Sequence, residues 1–127
     1  MMCIVYAAAC SRLFIVKPIG TYGDAIAFRF YDITDEQPSR HNIVDLYVQE
    51  YIGDGKWSSV WMLKGKQSLE EIVYGQRYEG LTEVIPPKAL SLNGAYRVFV
   101  SDLPMFEPAG GASAGFAFDT RGNLILK

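Results

Sequence analysis

Beyond Cys10 the chain contains no cysteine, and it has a single histidine, His41. A disulfide framework is therefore excluded for most of its length. Zinc needs three or four ligands of the Cys, His or carboxylate type, and one histidine without a nearby cysteine cannot supply them. Basic residues are not in excess: 12 Lys and Arg stand against 14 Asp and Glu, for a net charge of −2 and a pI of about 5.3. The electrostatic footprint of a nucleic-acid binder is missing, and so mild an acidic balance points to no particular partner. No apolar run reaches the roughly 18 residues of an ordinary membrane-spanning helix. Nothing in the chain calls for a cofactor.

What is present is material for a core. Half of the 127 residues are hydrophobic and 13% are aromatic, enough for one folded domain. From residue 13 onward short apolar stretches alternate with Gly, Pro, Asn and Asp. Strands are predicted over 13–17, 25–31, 42–52, 57–64, 71–74, 95–101, 115–119 and 124–126. In "AIAFRFY" Ile26, Phe28 and Phe30 face one way, with Ala27, Arg29 and Tyr31 on the other. Tyr96, Val98 and Val100 repeat the pattern. The only helix-like stretch is "SLEEIV", with Ser68 as a candidate N-cap.

Two hairpins can be aligned by residue. Asp54-Gly55 is a type I′ turn signal, since both central residues of that turn need positive φ. It sets Gly53 against Lys56, Ile52 against Trp57, Val48 against Trp61 and Leu46 against Leu63, an apolar face. The other face sets Tyr47 against Met62 and Asp45 against Lys64, opposite charges across the pair. A three-residue turn at Thr120-Arg121-Gly122 sets Phe118 against Leu124 and Phe116 against Leu126. Closely spaced short strands without helices predict a single immunoglobulin-like or transthyretin-like β-sandwich of about 7–8 antiparallel strands.

Catalytic patterns are scarce. His41 lies in the polar stretch "DEQPSRHN" near Ser39, yet no strand–turn–helix elbow presents a nucleophile, and a solvated loop histidine accounts for it. Asp32, Asp35 and Glu36 offer calcium-type oxygens at a spacing that fits no EF-hand, and turn-forming acids explain them. "AGGASAG" lacks the Lys-Ser/Thr and the helix of a phosphate loop. Glu70 and Glu71 are adjacent and point apart. The chain reads as a non-enzyme.

Surfaces remain. Tyr47, Tyr51, Val60 and Met62 fall on the outer face of the first hairpin, where they form either a docking face for a protein or glycan or a patch covered by another part of the chain. Met105 and Phe106, between Pro104 and Pro108, form either a stiff exposed contact tip or a plug for the sandwich end.

The opening "MMCIVYAAAC" is apolar up to Cys10. Ala7-Ala8-Ala9-Cys10 resembles a bacterial lipobox, in which small residues precede the cysteine that receives lipid. Ala7 stands where Leu is usual, and the basic n-region is missing; a start upstream of Met1 accounts for the second departure. The resemblance implies cleavage before Cys10, with residues 1–9 a signal remnant and 10–127 the domain. Lipid on Cys10 then anchors the domain to the membrane, each buried methylene contributing about 0.8 kcal/mol. Ser11 resembles an outer-membrane sorting residue. The rival reading is an N-terminal strand or short helix packed on the core.

A second resemblance runs through "WSSVWMLKG…SLEEIVYGQRYEGLTEVIPPKALSLNGAYRVFV". Its Trp-bearing strand, the "I-x-YG" segment at Ile72-Val73-Tyr74-Gly75 and the "G-x-Y" strand at Gly94-Ala95-Tyr96 are similar to small uncharacterised lipoproteins of Gram-negative bacteria. It implies an immunoglobulin-like domain on the periplasmic face of the outer membrane and carries over no catalytic residues. Three functions follow in order: an envelope interaction module with a protein partner, an immunity-type lipoprotein neutralising a toxin, and last a hydrolase.

Overall fold

The structure, a computed structural model, describes residues 14–34, 36–102 and 111–127. The lipobox cysteine Cys10, the Met105–Phe106 tip and the turn acid Asp35 lie outside the described residues.

Nine strands run in chain order: β1 (Phe14–Gly20), β2 (Ile26–Asp32), β3 (His41–Gly53), β4 (Lys56–Leu69), β5 (Glu71–Val73), β6 (Leu81–Ile85), β7 (Ala95–Ser101), β8 (Ala112–Phe118) and β9 (Leu124–Leu126). Every pairing is antiparallel. A three-stranded sheet, β1-β2-β5, faces a six-stranded sheet, β6-β4-β3-β7-β8-β9. The fold is a β-sandwich. One sheet has β5 beside β2, and β3-β7-β8 lie at the centre of the other. Pro18 sits in β1, an edge strand, where its missing N–H breaks no inner ladder.

The core lies between the inner faces. Ile26, Phe28 and Phe30 of β2 meet Leu46 and Val48 of β3, Trp61 and Leu63 of β4, Tyr96 and Val98 of β7, and Phe116 of β8. Phe28 and Phe116 span the two sheets with ring centroids 5.8 Å apart, and Tyr96 stacks on Phe116 at 5.4 Å. Trp61 is fully buried beside Tyr74 at 5.0 Å, and its indole N–H donates to Glu83 at 3.1 Å.

The first hairpin keeps most of its expected register. Gly53 pairs with Lys56, Val48 with Trp61, Tyr47 with Met62, Leu46 with Leu63 and Asp45 with Lys64. Asp54 and Gly55 both have positive φ, 55° and 72°, as a type I′ turn requires. Between turn and core, however, Trp57 pairs with Tyr51 rather than Ile52. Ile52 is an extra residue on β3, and Val60 is an extra residue on β4 between Ser59 and Trp61. The two irregularities compensate, so the register is restored from Val48 inward. They also overturn the expected outward placement of Val60, which is buried next to Trp61, while Ile52 is exposed. A bulge breaks the strict inside–outside alternation and lets two successive residues enter the core.

"SLEEIV" is not helical. Ser68 and Leu69 end β4, and Glu71, Ile72 and Val73 form β5 in the other sheet. The chain changes sheets at Glu70, whose carbonyl already accepts from Phe30 N–H at 3.0 Å. Leu69 and Ile72 have the i, i+3 spacing of a helix face because each packs on the core from a different sheet. Strand β6 was not expected: with only Leu81 buried and Pro86-Pro87 following, it lacks an alternating signature. The second hairpin has its expected register, with Phe116 opposite Leu126, Phe118 opposite Leu124 and Gly122 at φ 87°. Leu126 is nevertheless 63% exposed, at the end of the edge strand β9, whereas Leu124 at its start packs on the core.

The two resemblance motifs have clear roles. Gly75 turns the chain after β5 at φ 83°, and the Tyr74 hydroxyl donates to Lys88 O at 2.6 Å. A Cβ on Gly94 would lie 2.4 Å from the Tyr96 hydroxyl, so only glycine leaves room for that ring to fold back. The hydroxyl accepts from Ser91 N–H at 2.5 Å, five residues upstream, the geometry of a tyrosine corner.

Replacing Trp61 with Ala removes a fully buried indole and leaves Glu83 without its donor; the expected loss in urea melts is about 3–5 kcal/mol. A loss below about 1 kcal/mol would contradict this packing.

Candidate functional site

Strand register builds the outer face of the six-stranded sheet row by row. Cross-strand pairing aligns Met62, Tyr47, Phe99 and Ser113 in one row. The next contains Ser59, Gln49, Arg97 and Gly115, and the third is headed by Trp57 and Tyr51. These residues alternate with the buried Leu46, Val48, Val98 and Val100, so their side chains point away from the core.

Aromatic rings frame the middle row. Tyr47 stacks on Phe99 at 5.1 Å, and Tyr51 meets Trp57 edge-on at 5.2 Å. The Arg97 guanidinium lies between these pairs, 4.0 Å from the Trp57 ring centroid and 5.1 Å from that of Phe99. Its Nε donates to Gln49 Oε1 at 2.8 Å. No carboxylate among the described residues forms an ion pair with it. Beside it an open cleft of about 680 Å³ runs from Tyr51 and Trp57 past Arg97 to Ser113 and Lys127, with Lys127 packed against Gly115. Tyr51 is 42% exposed, and Tyr47, Trp57, Met62 and Phe99 are partly buried.

The structure thus brings Tyr47, Tyr51 and Met62 onto one face, as the hairpin alignment requires, and removes Val60 from it. It adds Trp57, Arg97 and Phe99. Phe99 and Arg97 were legible as outward positions of "YRVFV", but their partners were not, because β3–β7 pairing has no local turn to announce it.

At the sandwich edge His41 is not a solvated loop residue. It opens β3, its side chain is only 8% exposed, and its ring stacks on Phe14 at 4.6 Å. Ser39 Oγ lies 3.1 Å and Asp32 Oδ1 3.2 Å from the same atom, Nε2. A catalytic relay places carboxylate and nucleophile on opposite ring nitrogens, and this cluster does not have that geometry. Ser39 Oγ also accepts from Asp32 N–H at 3.2 Å, so the group closes the end of β2 against β3. Among the described residues no three His, Cys, Asp or Glu side chains gather closely enough to hold a metal ion.

Asp45 is a buried acid, 4% exposed, whose Oδ1 has no hydrogen-bond partner. Burial pushes its pKa up, and the charge of Lys64 opposes that shift. The folded state therefore favours the protonated form, a contribution present below the unfolded value of about 3.9 and lost as pH rises through the folded one. Asp45→Asn should gain stability relative to the parent between about pH 3 and about pH 7. Parallel denaturant melts check this, and a difference independent of pH would contradict it.

Comparison with protein-family models, with curated proteins and with solved structures gives no match.

Proposed function

We propose that this chain is a non-catalytic interaction module of the bacterial cell envelope, anchored by lipid on Cys10, whose contact surface is the outer face of the six-stranded sheet. The observation that carries the reading is the framed Arg97. Trp, Tyr and Arg are the residues that dominate binding energy at protein interfaces, and here Tyr51, Trp57 and Arg97 lie together outside the core. The surrounding strands hold them without help from a partner, so little ordering entropy is lost on association. Met105 and Phe106, read from the sequence between Pro104 and Pro108, are a second candidate contact. Anchoring rests on the Ala7-Ala8-Ala9-Cys10 pattern and places the domain on the periplasmic side of the outer membrane. An immunity-type lipoprotein with a toxin as its partner would use the same surface.

The test replaces Tyr51 and Trp57 with Ser in the chain with its upstream sequence restored. Stability should fall by about 1 kcal/mol or less, because neither ring enters the core. A protein that co-purifies from membranes with the parent should be lost, and palmitate labelling should depend on Cys10. A retained partner, or labelling that persists in Cys10→Ala, overturns the corresponding part of the proposal.

A further inference from the structure

We infer that the Arg97 cleft binds a carboxylate, presented by an acidic segment of a protein partner. This rests on the reading of the outer sheet face as the contact surface and names the chemistry it selects.

The argument begins with what lines the cleft. Arg97 and Lys127 are its charged residues, and no Asp or Glu lines it, although acids outnumber bases in the chain. Rings of Trp57 and Phe99 lie within 4.0 and 5.1 Å of the guanidinium carbon. The two rings crowd the guanidinium, and Nε is committed to Gln49. What is left for a ligand is the in-plane edge bearing the two Nη groups. That edge is a fork matched to the two oxygens of a carboxylate. Gly115 stands opposite Arg97 in the adjoining strand, and Lys127 lies against it, its Cβ 3.3 Å from where a Cβ on Gly115 would be, so Lys127 is the second cation on that side of the cleft.

The balance of donors and acceptors separates one ligand class from another. The Arg97 and Lys127 side chains only donate, Ser113 offers a hydroxyl, the Tyr51 hydroxyl already accepts from Gly55 N–H, and the oxygen of Gln49 is taken by Arg97. Each hydroxyl of a neutral sugar brings a donor as well as acceptors, and those donors would find few acceptor side chains here. A carboxylate accepts at both oxygens and donates none. Tyr51 and Trp57 then offer an apolar wall for the residue beside the acid, an arrangement that suits an acidic residue next to an aromatic one.

The experiment follows the Trp57 indole N–H and the Gly115 amide by NMR during titration with an end-blocked Glu-Phe-Glu peptide. Its Gln-Phe-Gln twin and trigalacturonate serve as the other probes. Glu-Phe-Glu should move both signals with a Kd of roughly 1 mM, as expected for a short probe making one charged contact. The amide twin should bind at least about tenfold more weakly. Arg97→Lys, which keeps the charge and loses the fork, should weaken Glu-Phe-Glu binding about tenfold, and Arg97→Gln should abolish it. Both variants should retain the parent's Trp61 signal, which reports an intact core.

Equal binding of the two peptides would overturn the carboxylate assignment, as would unchanged affinity in Arg97→Lys. Binding of trigalacturonate in place of Glu-Phe-Glu would make the ligand an acidic glycan and overturn the protein partner. If no probe shifts either signal while the Tyr51, Trp57 double variant still loses its membrane partner, the carboxylate assignment falls and the contact face stands. If that double variant keeps its partner, both fall.

Discussion

The hydroxyl of Tyr96 ties together the two parts of the molecule that strand pairing alone would leave independent. Its ring belongs to the core, stacked on Phe116, which in turn meets Phe28 of the opposite sheet. Its oxygen belongs to the connection before β7, accepting from Ser91 N–H and donating to Glu50 of β3 at 3.1 Å. Glu50 also accepts from Lys88 at 3.4 Å, so the approach to β7 is held at two places. Burial pushes the Tyr96 phenol up to about 12, with the Ser91 N–H opposing the shift and Glu50 adding to it. The neutral phenol is thus the form the fold selects, and this stabilisation fades only as pH climbs from about 10 toward that value.

Fixing β7 at its first residues sets the register of everything that follows. Val98 and Val100 enter the core, and Arg97 and Phe99 are left on the outer face by the same alternation. One slipped residue would bury the guanidinium and expose two valines. The outer face is therefore a consequence of the inner one. Its residues satisfy few demands of folding beyond cross-strand contact, which leaves an aromatic-framed arginine available for another molecule.

The sequence made the inner face easy to read and the outer one hard. Strict alternation in "AIAFRFY" and "YRVFV" gave the core positions of β2 and β7 directly, and the Asp54-Gly55 and Thr120-Arg121-Gly122 turns gave two registers. Where the backbone departs from alternation, reading by period fails. Strict alternation puts Val60 outward, because the paired irregularities at Ile52 and Val60 leave no mark in composition. His41 reads as solvated because its neighbours in sequence are polar, whereas its neighbours in space, Phe14 and Asp32, come from two other strands. The "SLEEIV" corner mimicked a helix for the same reason. Arg97 could be assigned to a face from sequence, but its position between Trp57 and Phe99 depends on β3 lying between β4 and β7, a long-range arrangement.

The most direct test of this account is the unfolding free energy of Tyr96→Phe in urea. The substitution keeps the ring and its stacking and removes only the hydroxyl, so it isolates the bonds to Ser91 and Glu50. The account predicts a loss of about 1–3 kcal/mol, the cost of leaving partly buried polar groups without their partner. A variant as stable as the parent would mean that Phe116 packing alone positions β7, and that the corner is not the constraint on which the sandwich and its outer face depend.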